Sequence, residues 1–166
     1  MYKLSKFEFF SPFIETSKLT AFLNANEVNI VVTKQFGYSC MSDTAGTLVF
    51  VLRNYRTLEL VQKIPVLNVV DVVHFENNGK HYLALSDGTP IESSLSPQTI
   101  YIYRSELTKQ KCSFSLFQKL YFDGVIQLSA FTYGTIHSEQ QYLVAINSSK
   151  VIVWKQNGIS FHLLIN

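Results

Sequence analysis

The chain is poor in charge, has two cysteines and lacks a long apolar run. Of its 166 residues only 16% are charged while 47% are hydrophobic, enough for a core and too few charges for a disordered chain. The net charge is +2, with Lys and Arg scattered singly, so the electrostatic footprint of a nucleic-acid binder is missing. No apolar run approaches the roughly 18 residues that cross a bilayer. Lys3, Lys6 and Glu8 interrupt the apolar residues of the amino terminus, which does not read as a signal peptide.

Catalytic patterns are missing as well. His74 and His81 flank one hairpin, while His137 and His162 lie elsewhere, and no His-x-His or His-x-x-x-His spacing occurs. There is no Gly-x-Ser-x-Gly elbow and no Gly-rich phosphate loop. We therefore expect no enzyme and assign no catalytic, cofactor-binding or metal residue; no cofactor is implied.

What the chain does have is a repeat. Phe114-Ser115-Leu116-Phe117-Gln118 echoes Leu58-Glu59-Leu60-Val61-Gln62 at an offset of 56, and Phe131 follows Phe75 at the same offset. In the middle copy the apolar runs are Leu58 to Ile64, Val69 to Phe75, His81 to Ser86 and Ile100 to Arg104. The third copy answers with Phe114 to Leu120, Val125 to Phe131, Gln141 to Asn147 and Val151 to Lys155. A weaker first copy pairs Phe22 with Phe75 and Ile30 with Leu83 at an offset of 53, and Leu52-Arg53 with Tyr103-Arg104 at 51. Phe161 to Ile165 reads as the start of a fourth copy, on the Phe114 to Gln118 run at an offset of 47.

The runs are rich in Val, Ile, Leu, Tyr and Phe and stop short of helix length, so they predict strands. Asn78-Gly79 suits a two-residue hairpin, and Asp87-Gly88, Asp123-Gly124 and Asn157-Gly158 mark other turns. Tyr82-Leu83-Ala84-Leu85, Tyr142 to Ile146 and Val151 to Trp154 are apolar without alternation, which predicts sheets covered on both faces. A unit of about 50 residues with four such strands is the size of one propeller blade. The expected fold is all-β, about three four-stranded antiparallel blades of an incomplete ring, since known propellers use about four to eight.

The aromatic-x-Leu-x-Gln strand (Phe114, Leu116, Gln118), the strand closing on Phe75 or Phe131, the Tyr82-Leu83 and Tyr142-Leu143 pairs, and the aromatic-basic pairs Tyr103-Arg104 and Trp154-Lys155 resemble the EAR repeat, also called the EPTP or epitempin repeat. The resemblance divides the chain into an EAR-like repeat at 5–57, EAR repeats at 58–105 and 114–156, and the start of a fourth at 159–166. Phe9 and Ile165 stand where Gln62 and Gln118 do. Such repeats form seven-bladed propellers in secreted leucine-rich glioma-inactivated proteins, in the thrombospondin-type laminin G and EAR-repeat protein, and in a very large adhesion G-protein-coupled receptor. The resemblance implies an extracellular or cell-surface module that binds a receptor or adhesion protein. The remaining blades would come from a longer chain or from oligomerisation. The alternative is an intracellular scaffolding propeller of the WD type, although Trp154 precedes Lys155 and not Asp, or blades with a purely structural role.

Several residues have both a functional and a structural reading. Asp71 matches the family's acidic position, where carboxylates of successive blades could bind Ca²⁺; its aligned residues are Lys18 and Gln127, and the alternative is a strand Asp that satisfies nearby backbone. Asn147-Ser148-Ser149 is the one N-glycosylation sequon, placed where a strand enters a turn. Cys40 and Cys112 fall in loops on opposite sides of the expected disc and are not expected to pair. Tyr38, Tyr55 and Tyr133 lie in expected loops as binding anchors or rim packing.

Overall fold

The computed structural model describes residues 16–24, 27–34, 46–54, 56–88, 98–108, 111–122, 124–125, 127–135, 139–158 and 160–165. The expected runs form twelve strands: β1 (Thr16–Asn24), β2 (Glu27–Lys34), β3 (Thr47–Arg53), β4 (Thr57–Ile64), β5 (Val69–Asn77), β6 (Lys80–Asp87), β7 (Thr99–Thr108), β8 (Lys111–Tyr121), β9 (Gln127–Tyr133), β10 (Gln140–Ile146), β11 (Val151–Asn157) and β12 (Ser160–Ile165). They pair in sequence order into three antiparallel sheets, β1 to β4, β5 to β8 and β9 to β12. Asn78 and Gly79 have φ of 52° and 68°, the pair of positive values that a two-residue type I′ hairpin requires, and they join β5 to β6.

The sheets begin one strand later than the sequence repeats. Leu58 to Ile64 opens the 58–105 repeat but closes the first sheet as β4, and Phe114 to Leu120 closes the second as β8. Phe161 to Ile165, read as the start of a fourth copy, is β12, the last strand of the third sheet. Periodicity fixes the length of a unit but not its phase, because a repeat can be cut before any of its strands.

All three sheets share one irregularity. The register slips between Val49 and Phe50, between Ile102 and Tyr103, and between Val153 and Trp154, each opposite the fourth strand of its sheet. The residues passed over are Val61, Phe117 and Leu164, an extra residue that reverses which face the following side chains meet. This register also corrects the alignment of Leu52-Arg53 with Tyr103-Arg104. Phe50 occupies the place of Tyr103 and Trp154, so the first sheet keeps the aromatic but has Val51 where Arg104 and Lys155 stand. Arg53 instead pairs with Glu27 and with Glu59, the latter at 2.9 Å.

Two apolar cores separate the sheets. The first joins Phe22, Val31, Val49 and Ile64 to Val72, Leu83, Tyr103 and Phe114. The second joins Phe75, Tyr82, Ala84 and Ile102 to Leu128, Leu143, Trp154 and Phe161. In β6 alternate residues enter alternate cores, which is why Tyr82-Leu83-Ala84-Leu85 is buried throughout and shows no polar positions. The third sheet departs from the expectation of two covered faces. In β10 only Gln141, Leu143 and Ala145 are buried, because no described sheet lies beyond it. Between neighbouring sheets the first strands pack closest, β1 on β5 and β5 on β9.

Candidate interaction surface

Three of the polar residues that stood out in the sequence, Gln62, Gln118 and Asp71, join one sheet to the next. Gln62 of β4 donates from Nε2 to the carbonyl of Phe114 and accepts the Phe114 N–H on Oε1, both at 2.7 Å. Gln118 of β8 repeats this on Phe161, at 2.9 and 2.7 Å. A primary amide matches a backbone peptide donor for acceptor, so each glutamine clasps the free edge of the next sheet's last strand. The aromatic at the clasped position is also met edge-on by a phenylalanine of the preceding sheet. Phe22 lies 6.0 Å from Phe114 at 86°, and Phe75 lies 5.7 Å from Phe161 at 83°. The aromatic and glutamine of the repeat motif are thus two halves of one junction. Ile165, opposite Val153 as Gln118 is opposite Ile102, has no amide to clasp with.

Asp71 sits at a second junction, on the inner strands. Its Oδ2 accepts the N–H of Leu128 at 2.7 Å and its Oδ1 that of Val72 at 3.0 Å, while Lys18 Nζ lies 3.6 Å from Oδ1. The sequence-aligned Lys18 and Asp71 therefore form an ion pair, and both carboxylate oxygens are engaged by protein. Ser86 bridges the Asp71 N–H and carbonyl at the register slip, as Thr33 bridges those of Lys18. No group of three or more His, Cys, Asp or Glu able to hold a metal occurs among the described residues.

His74 and His81 are brought together across the β5–β6 pair. His74 Nε2 lies 3.0 Å from His81 Nδ1, so one ring donates and the other accepts, and Phe22 stacks on His74 at 3.9 Å. Burial, and then the facing His81, lower the His74 pKa from its ordinary value to about 4; burial also lowers that of His81, against an upward pull from Glu76. Sequence spacing alone did not disclose this pair, since two residues seven apart meet only when the hairpin register is known. His162 is exposed on β12 and touches Ser160. His137, Cys40, Tyr38 and Tyr55 lie outside the described residues, and Cys112 falls in β8.

Asn147 follows β10 directly, at the turn into β11, where its Oδ1 accepts the N–H groups of Ser149 and Lys150, and Ser148 to Lys150 are exposed. Tyr133 ends β9 and is 73% exposed. Close by, Phe131 is 46% exposed and stacks on Tyr142 at 5.1 Å. Together with Val144, Val153 and Leu164 they give the third sheet a broad, partly exposed apolar face, the kind of patch that marks a binding surface.

No protein-family model matches this chain, and no curated protein matches it. Among the described residues no helix is long and apolar enough to cross a membrane.

Proposed function

We propose that the chain is a non-enzymatic protein-interaction module, a set of β-propeller blades of the EAR type that works at the cell surface or outside the cell by binding a receptor or adhesion protein. The observation that carries this reading is the twice-built junction of glutamine, phenylalanine and backbone edge. It uses the residues of the EAR-like motif for stacking sheets in series, so the motif encodes a platform and leaves its loops and rims for recognition. Crowding of the first strands, with Lys18, Asp71 and Leu128 meeting there, supports a radial arrangement about an inner axis. The Ser148 to Lys150 turn is an exposed feature that a protein partner could contact.

The test is binding of the purified, fluorescently tagged chain to intact cells of several types. Saturable binding that disappears when the cells are first treated with protease is the expected result. Absence of saturable binding on every cell type, together with failure of the secreted chain to acquire a glycosidase-sensitive glycan at Asn147, would overturn the extracellular reading.

A further inference from the structure

Each sheet has a forward face, which receives the next sheet, and a rear face, which receives the preceding one. In the second sheet Phe75, Ala84 and Ile102 face forward and Val72, Leu83, Tyr103 and Phe114 face rearward, all buried. The same forward positions in the third sheet are Phe131, Val144 and Val153, and the same rear positions in the first are Leu19, Ile30, Phe50 and Leu58. None of these seven is buried, and Phe131 and Leu19 are 46% and 62% exposed. The two ends of the array are therefore the two halves of an interface that the chain already builds twice within itself.

We propose that these ends dock on each other between two copies of the chain, forward face of β9–β12 against rear face of β1–β4, closing a ring of two three-sheet halves. The inference rests on the reading of the sheets as propeller blades. The forward half is pre-arranged: Phe131 stacks on Tyr142 at 5.1 Å and 12°, as Phe75 stacks on Tyr82 at 5.1 Å and 1° inside the covered second core. At the clasp Ile165 stands at the glutamine position and Leu58 at the aromatic one, so the contact between copies lacks the amide-to-backbone bonds of the two internal junctions and rests on the apolar faces. A head-to-tail contact repeats until it closes or grows without limit. Close-packed first strands favour closure, and two copies of three sheets fall within the range of about four to eight blades.

Sedimentation equilibrium of the purified whole chain tests this with no other protein present, so its outcome is separate from that of the cell-binding assay. A concentration-dependent species of twice the 19.0 kDa chain mass, with no larger species, is expected. Phe131→Glu on the forward face and Leu19→Glu on the rear face each raise the dissociation constant about tenfold or more, with the far-ultraviolet circular dichroism unchanged. Mixing the two variants restores part of the association, because one of the two contacts in the mixed dimer joins an unaltered forward face to an unaltered rear face. A monomer up to the solubility limit, open-ended growth, or association that neither substitution weakens would each overturn the proposal.

Discussion

The carboxylate of Asp71 accepts the backbone N–H of Leu128 at 2.7 Å, tying the first strand of the second sheet to the first strand of the third. Its other oxygen serves Val72 in its own strand and faces Lys18 of the first sheet. Asp71→Ala leaves two buried N–H groups without this acceptor and is expected to cost about 2 to 4 kcal/mol. Asp71→Asn keeps one acceptor oxygen and should cost about half as much. Urea denaturation of the three proteins checks the order.

The glutamine junctions make a sharper chemical prediction. Gln118→Ala removes two bonds to Phe161 and should destabilise by about 1 to 3 kcal/mol. Gln118→Glu at neutral pH is expected to do at least as much harm, since a carboxylate cannot donate to the Phe161 carbonyl and repels it. If Gln118→Glu behaves like wild type in thermal melts, the amide does not act as a two-way clasp.

Stability should fall on acidification through the His74–His81 pair. Both folded-state pKa values lie below the ordinary 6.5, that of His74 at about 4, so the unfolded chain takes up protons first. The contribution of the neutral pair is fully present above pH 6.5 and is lost as pH falls from there toward about 4. Glu76, which pulls the His81 pKa upward, moderates the effect. His74→Phe retains the stack on Phe22 and should flatten the fall in stability between the ordinary value of 6.5 and about 4 in a profile measured by denaturant titration. A slope equal to that of wild type would place the acid sensitivity elsewhere.

Two glycines with positive φ should respond differently to alanine. A Cβ on Gly46, at φ +120°, would lie 2.8 Å from the carbonyl oxygen of Ile64, whereas one on Gly79, at φ +68°, meets nothing within 4 Å. We expect Gly46→Ala to cost more than about 2 kcal/mol and Gly79→Ala about 1 kcal/mol. Paired chemical denaturation curves decide it.

Strands, turns and the length of the repeat were legible in the sequence because they depend on local chemistry: β-branched and aromatic runs, an Asn-Gly hairpin and recurrent aromatics. The phase of the repeat was not, since Leu58 to Ile64 looks the same as the opening or the closing strand of a unit. Bulges were hidden too, because the residues passed over, Val61, Phe117 and Leu164, are apolar like their neighbours. Gln62 and Gln118 stood out as a motif, but their partners lie 52 and 43 residues away, and only the stacking of sheets brings them together. Asp71 was visible as an acidic position, and its task became apparent once the free edge of β9 lay beside it.

The middle sheet belongs to both cores at once, and Leu83, Ala84 and Leu85 have no solvent exposure. For their amides to exchange with solvent deuterium, β6 must separate from both of its strand partners, and both cores must loosen. The outer sheets can open while the remaining pair stays packed. Exchange should therefore be graded along the chain, slowest in β6 and faster toward Leu19 and Leu164, so that the free energy of opening is highest at the centre of the array.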